Sequence, residues 1–597
     1  MLHYEKRKNN KLFENILSNK KIQISKIQNF IPIYRNFFSL NESNYDNINL
    51  NNEYYVSKIN NTSYSDDYIF SCEIKSTINP NPNFKVEQKT FIKMAPLLEP
   101  YKYLLGKYKD YDNSTLFNMP SLLSENCHEK INDENNSSYV DSFFCYLSSR
   151  LLNKYKIVNC INFYGSFLGL KKNYKINIID DIEYLVESDY FNKNQNKLFQ
   201  IEDYSHLIYK PKLNPIKIID NEEIHIELED INSIIEPCSY SESEKLEITE
   251  NILELTEENI HISNSNNNSN TETYSSSSSY SSRTSHSNSN DLNELSDNDI
   301  NNSDASDENV TSNSDDEDSL SSGSNSHSTD SSCSDITEEM LFATFDEFPI
   351  QLIFLECCEG TFDSLLLNND EFSNDEIFSA LMQIIMTLLV YQKTFSLTHN
   401  DLHTNNVMYI KTNLKYLHYK YKNKIYRVPT FGKIYKIIDF GRAIYKINGQ
   451  IICSDSFKNG NDAATQYNIE PYFNDKKPRL EPNFSFDLCR LACSMFDYLV
   501  DDIDDVKDLS SCNSLVRLIV EWCMDDSGVN ILYKNTGVER YPNFKLYKMI
   551  ARLVHNHTPE AQLERNEFKK YLVSNKKMDS KIKLINIDDL PCFTESI

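Results

Sequence analysis

The feature that most constrains this chain is the order of four segments between residues 375 and 443. "DEIFSALMQIIMTLLVYQ" is apolar on most sides of a helix, so the helix belongs inside a core rather than on a surface. A polar loop, "HNDLHTNN", follows it, then the short apolar run "VMYI". Further on, "KIYKIIDFGRA" reads as an apolar strand running into Asp439, Phe440 and Gly441. His399, Asp401, His403 and Asn406 thus fall within eight positions of one another, just beyond a buried helix. The spacing of four between the two histidines suits a metal site on a helix, whereas Thr404, Asn405 and Asn406 favour a loop.

This order of helix, loop, strand and DFG resembles the protein kinase family, whose signature HRDLxxxN sets an Asn five residues beyond the Asp and is followed by DFG. Asp401 and Asn406 keep that separation, and Asp439 matches the acid of DFG. Phosphoryl transfer needs oxygen ligands for Mg²⁺ and a base that orients the incoming hydroxyl. The resemblance therefore implies Asp401 as the base, with Asn406 and Asp439 as the Mg²⁺ ligands. It extends to "QKTFIKMAPLL", similar to the strand that carries the phosphate-anchoring Lys93, and to "YVDSFFCYLSSRLL", similar to the regulatory helix, with Asp141 as the acid that pairs with Lys93. "LIFLECCEGTFDSLL" resembles the strand, hinge and first helix beyond it: Leu355 stands at the gatekeeper position, and Glu356 and Cys358 offer a backbone carbonyl and amide to adenine. "SFDLCRLACSMFDYL" resembles the central helix of the larger lobe, with Asp487 bracing the catalytic loop.

The implied architecture is α+β and bilobal, a small, mainly antiparallel β N-lobe and a larger helical C-lobe, with ATP and Mg²⁺ in the cleft and a protein Ser or Thr as acceptor. Residues 1–60 are read as an N-terminal extension and the start of the N-lobe, 61–240 as the N-lobe, 241–340 as a disordered acidic insert, 341–357 as the last N-lobe strand and hinge, and 358–597 as the C-lobe. Within this frame the pattern is similar to the serine/threonine kinases of giant nucleocytoplasmic DNA viruses.

Four departures qualify the resemblance. No glycine precedes Gly106, so a Gly-rich loop over the phosphates is missing. Asp141 is one methylene shorter than the usual Glu, so the ion pair with Lys93 requires a closer helix. Asn400 replaces the Arg of HRD, which weakens control by loop phosphorylation. His403 stands two residues beyond the catalytic Asp, where most Ser/Thr kinases carry Lys to face the phosphate; HxDLH occurs in haspin-like kinases and in small-molecule kinases of the choline and aminoglycoside type. A free His titrates near a pKa of about 6.5, so the aid of His403 to the phosphate is expected to vary between about pH 6 and about pH 8. A small-molecule kinase and a pseudokinase scaffold remain the alternatives.

Composition bounds the rest. At 40% hydrophobic and 12% aromatic residues the chain has material for a substantial core. Its net charge of −28 is concentrated in residues 241–340, where 23 acidic residues face only Lys245 and Arg283. From about Ser263 to Asp335 the sequence is mostly Ser, Asn, Asp and Glu, too poor in apolar groups to offset its conformational entropy. Such a tract is either an inert spacer or a phosphorylated docking segment, since Ser314 precedes four consecutive acids, and its charge suits basic partners. No uninterrupted apolar run reaches the length of about 18 residues that a membrane span calls for. The N-terminus lacks the apolar core of a secretory signal. Fourteen scattered Cys without CxxC pairs fit reduced thiols. A cytoplasmic location is expected, in the host cytoplasm or the virion if the chain is viral, with neither nucleic acid nor membrane as a partner.

Overall fold

A computed structural model of the chain describes residues 2–79, 84–123, 126–207, 340–367, 372–574 and 583–595. The chain divides into a large unit, residues 1–204 and 280–597, and a small one, 205–279, almost all of which lies outside the described residues. So does the acidic tract up to residue 339, Ser314 included.

The large unit is mixed α+β. Its principal sheet is antiparallel and contains β1 (Ile24–Gln28), β2 (Tyr54–Ser63), β3 (Ile69–Ser76), β4 (Lys85–Pro96), β5 (Phe163–Asn177) and β6 (Phe342–Glu356) in the order β1-β5-β6-β4-β3-β2. Alternation in β4 puts Ile92 and Met94 into the core and leaves Phe91 and Lys93 on the half-open face. β6 sits in the middle of the sheet, so its Phe348–Leu355 stretch is buried on both faces and is apolar except for Gln351, whose amide donates to the Ser142 and Ser166 hydroxyls. The strand begins earlier than that run suggests. Phe342 to Glu347 pair with the distal half of β5, where Phe345, Phe348 and Tyr174 cluster.

Helix α1 (Ser137–Tyr155) packs against β5 and β6. Asn136 caps its N-terminus by accepting the Ser138 amide, and left-handed Lys156 ends it. The apolar helix read from the sequence is α2 (Asn374–Phe395), opened by a Ser373–Glu376 capping box and closed by left-handed Ser396. By length and composition α2 could cross a membrane, but its most apolar window is 94% buried within the protein, which makes it a core helix. Beyond it, β7 (Val407–Lys411) pairs antiparallel with β8 (Lys433–Ile437). Helix α3 (Phe486–Met495) is buried throughout, with α4 (Ser514–Trp522) and α5 (Lys545–Leu553) packed against it. The loop between α2 and β7 and the turn after β8 are thereby brought up to β4 and α1.

Candidate active site

Lys93 is the meeting point of three elements. From β4 its Nζ donates to Asp141 Oδ2 of α1 at 2.8 Å and pairs with Asp439 Oδ1 beyond β8 at 2.9 Å. Burial alone would lower the Lys93 pKa, but the two carboxylates outweigh it and hold the ammonium charged. The shorter Asp141 side chain suffices because α1 lies close. Its second oxygen, Oδ1, accepts the backbone amide of Phe440 at 2.8 Å, so one carboxylate ties α1 to both β4 and the DFG turn. Phe440 is fully buried against Phe144, with ring centroids 4.5 Å apart, and fixes the turn from the apolar side. Asp439 has a left-handed backbone (φ 62°) and a side chain 44% exposed. Lys93 keeps its carboxyl below the usual range against the opposing effect of desolvation.

The loop after α2 is held from beneath by Asp487 of α3. The Asp487 carboxylate, fully buried, accepts the amides of His399 at 3.0 Å and Asn400 at 2.9 Å. Asn400 takes a left-handed backbone (φ 65°), which Asn tolerates better than Arg does. Its side chain knits the loop: Nδ2 donates to the carbonyls of Thr398 and Arg442, and Oδ1 accepts the Tyr467 hydroxyl at 2.7 Å. His399 accepts the Asp401 amide on Nδ1 at 3.3 Å, which leaves Nε2–H to donate to the Ile438 carbonyl at 2.9 Å. Both ring nitrogens are therefore engaged. The metal reading of His399 and His403 has no support in the geometry, and no cluster of three or more His, Cys, Asp or Glu suited to a metal occurs among the described residues.

Asp401 projects from this braced loop. Its Oδ1 accepts the Tyr547 hydroxyl of α5 at 2.8 Å, and Oδ2 lies 3.4 Å from Arg442 Nη1. Burial would raise the Asp401 pKa, but Arg442, Arg490 and the Tyr547 hydroxyl overcome that penalty and keep the carboxyl ionised, well below the usual carboxylate range. Asn406 directs both amide hydrogens inward, to the Asp401 carbonyl at 2.9 Å and to His403 Nε2 at 3.0 Å. Its Oδ1 is thus left as a hard oxygen donor, and Asp439 Oδ2 is left by the Lys93 pair; one carboxylate and one amide oxygen suit Mg²⁺ shared with phosphates.

The expectation that His403 titrates near neutrality is corrected. The ring is 5% exposed, and burial lowers its pKa to about 4, so it is neutral between pH 6 and 8. With Nε2 accepting from Asn406, Nδ1 carries the hydrogen, a buried donor with no hydrogen-bond partner among the described residues.

The end of β6 runs beside β4, with Leu355 opposite Phe91 and Glu356 opposite Thr90. Leu355 is buried between Phe91 and Phe163 in the neighbouring strands. The Glu356 carboxylate turns inward, accepting Lys436 Nζ at 2.5 Å and the Asn162 amide at 2.8 Å, while Lys436, 2% exposed, also donates to the Cys160 carbonyl. The Glu356 amide in turn donates to the Asn162 carbonyl at 3.1 Å. Cys358 follows, half-buried, two residues before the Gly360–Thr361 strand.

The β2–β3 turn, Tyr64 to Tyr68, contains Asp66 and Asp67 and no glycine. Hydrogen bonding of the Ile92 amide to the Tyr68 carbonyl sets it beside the Lys93 stretch of β4, and Lys89, on the same face of β4 as Lys93, lies over the Tyr64 ring. Lys21 anchors the turn from outside the hairpin. Its Nζ donates to the Asp66 carbonyl at 2.5 Å and the Tyr64 carbonyl at 3.2 Å, and it pairs with Asp67 at 3.6 Å. Reading the sequence did not single out Lys21, Arg442, Arg490 or Tyr547; none lies in a recognisable spacing, and each reaches the site only through folding.

No family model matches the chain. A protein of Invertebrate iridescent virus 6, "Uncharacterized protein 098R", is 27% identical over 197 residues, 30% of this chain and 32% of that protein. Serine/threonine-protein kinase haspin of Mus musculus is 36% identical over 77 residues, 13% of this chain and 10% of the kinase, and haspin of Bos taurus matches to the same extent. The chain spans about a third or less of the length of these relatives. The likeness to a kinase is local.

Proposed function

We propose that the protein is a protein kinase that transfers the γ-phosphate of Mg·ATP to Ser or Thr hydroxyls. The observation that carries the reading is the Lys93 fork, in which one ammonium joins the β4 strand, the α1 helix and the DFG turn at distances of 2.8 and 2.9 Å. In this reading the sheet is the N-lobe and residues from 358 onward the C-lobe, and the acidic tract interrupts the N-lobe and attracts basic partners. Adenine lies beside Leu355 and takes its hydrogen bonds from the Glu356 carbonyl and the Cys358 amide. Lys93, held by Asp141, anchors the phosphates, and Asn406 and Asp439 hold Mg²⁺. When bound, the ion neutralises charge on the phosphates. Asp401 orients the acceptor hydroxyl and takes its proton as the hydroxyl oxygen bonds to the γ-phosphorus and ADP departs with the electron pair of the broken bond.

Incubation of the purified protein with labelled ATP and Mg²⁺, in the presence of mixed protein and metabolite acceptors, tests the reading. Phosphate on Ser or Thr that drops by about 10² or more in Asp401→Asn, with ATP binding nearly intact, is the expected result. Asp439→Asn weakens Mg·ATP binding as well. Equal turnover by wild type and Asp401→Asn removes the mechanism, and label only in metabolites selects a small-molecule kinase. Two carboxylates at the glycine-free turn favour the third reading, a pseudokinase; a nucleotide-dependent rise in melting temperature without transfer is its signature.

A further inference from the structure

We infer that Tyr547 is a positioning residue for Asp401: its hydroxyl fixes the rotation of the carboxylate and leaves Oδ2 as the oxygen that receives the acceptor's proton. The inference rests on the phosphotransfer reading. A carboxylate turns about its last bond in a broad, nearly two-fold well, so a base on an Asp needs a fixed donor to select which oxygen faces the substrate. Tyr547 supplies one. The phenol has a single hydrogen, and at 2.8 Å from Asp401 Oδ1 that hydrogen is committed to the carboxylate, while the phenol oxygen accepts Arg490 Nε at 2.9 Å. Arg490 belongs to α3, the helix whose Asp487 braces the same loop, and is 2% exposed. The chain Arg490–Tyr547–Asp401 therefore runs from buried scaffold to base with every donor direction determined.

The ring is fixed as firmly as its oxygen. Phe544, the N-cap residue of α5, stacks on it with centroids 4.6 Å apart and planes 6° from parallel. The Arg490 and Arg442 guanidinium carbons lie 5.1 and 5.7 Å from the ring centroid. Arg442 also reaches Asp462 at 3.8 Å, so at 3.4 Å it is a looser neighbour of Asp401 Oδ2 than the phenol is of Oδ1. A tyrosine serving packing alone could satisfy its hydroxyl on any polar atom of the core. Here it engages the one carboxylate oxygen whose orientation decides proton transfer.

Tyr547→Phe in the full-length chain keeps the ring stack and deletes the hydroxyl. The expected result is a kcat lowered about 10- to 100-fold, as for a misplaced catalytic group, with KM for ATP within about twofold of wild type and the melting curve still cooperative. A purely structural tyrosine would leave kcat unchanged or lose kcat and melting temperature together. A second measurement does not depend on turnover: 3-fluorotyrosine placed at 547 and titrated by ¹⁹F NMR should show a lower phenol pKa once Asp401→Asn removes the neighbouring charge. A phenol titration indifferent to Asp401→Asn overturns the contact, and an unchanged kcat in Tyr547→Phe overturns the positioning role. Absence of any transfer by the wild type overturns the phosphotransfer reading and the catalytic role with it, while the fluorine titration still decides whether the contact exists.

Discussion

The loop 398–406 and the turn 64–68 are both short polar connections at the same cluster, yet they are held by opposite means. Beneath the loop, a buried carboxylate accepts two amides, and Asn400 and His399 satisfy their remaining polar atoms on neighbouring backbone and Tyr467. The turn is tied to β4 by the Ile92 amide and, from outside the hairpin, by the Lys21 amine, whose side chain is 27% exposed and whose ion-pair partner Asp67 is 86% exposed. Hydrogen bonds to a buried charge contribute about 1.5–3 kcal/mol each, whereas an exposed ion pair contributes about 0–1 kcal/mol. The contrast teaches that the loop around Asp401 is held by buried hydrogen bonds, whereas the turn at 64–68 is left more adjustable.

The comparison breaks most visibly at Asp487. Asp487→Ala leaves two amides without acceptors in a fully buried place, so a loss of about 3–5 kcal/mol in denaturant unfolding is expected. A loss below about 1 kcal/mol, typical of surface substitutions, would mean the loop is not held from below.

His403 sharpens the same side through pH. Its folded pKa of about 4 lies below the ordinary value of 6.5, so between these values the unfolded chain binds a proton that the folded one refuses. Stability is therefore expected to fall as pH drops from about 6.5 towards about 4, by up to about 3 kcal/mol, and to be insensitive to this group above pH 7. If the ring is responsible, the stability of His403→Gln relative to wild type should rise as pH falls across that range, because only the wild type carries the titrating group. The activity of wild type between pH 6 and 8 should carry no inflection from His403.

On the other side, Lys21→Met should change global stability by less than about 1 kcal/mol, as for an exposed pair. Amide exchange at residues 64–69 should accelerate several-fold all the same, and nucleotide should bind a few-fold more weakly. Unchanged exchange would show that the turn holds its shape without Lys21. The smallest effect is expected from replacing residues 263 to 335 by a short Gly/Ser linker. Loop length costs only about 0.6 kcal/mol per doubling, so the melting temperature and the activity on a small peptide should be preserved. Loss of folding on this replacement would place the tract inside the domain.

Much of the fold was legible because local rules and burial agreed. The α2 helix announces itself by apolar residues on nearly every side, and β4 by the resemblance of the segment around Lys93 to a kinase strand. The partner of the first part of β6 was not legible: the stretch from Phe342, inside the segment 341–357 read as strand and hinge, pairs with the far end of β5. Nor was the sheet order, which places the strands out of sequence. In the site, Asp401, Asn406 and Asp439 stood out through type and spacing. The protonation of His403 did not, because a pKa belongs to an environment and the sequence shows only the free imidazole's value.

By itself the sequence determined which groups are candidates for the proposed chemistry: a carboxylate and an amide five residues apart on one loop, a second carboxylate on a turn after a strand, and a lysine on another strand. These are set by covalent spacing and side-chain type, which no folding alters. Tertiary structure alone decided which of them meet and in what charge state. Asp141 reaches Lys93 because α1 lies close against the sheet, His403 is neutral because water is excluded from it, and Tyr547 reaches Asp401 across 146 positions of chain. Contacts between residues so far apart, and the desolvation that moves a pKa, come into being only when the elements pack, so no reading of local pattern contains them.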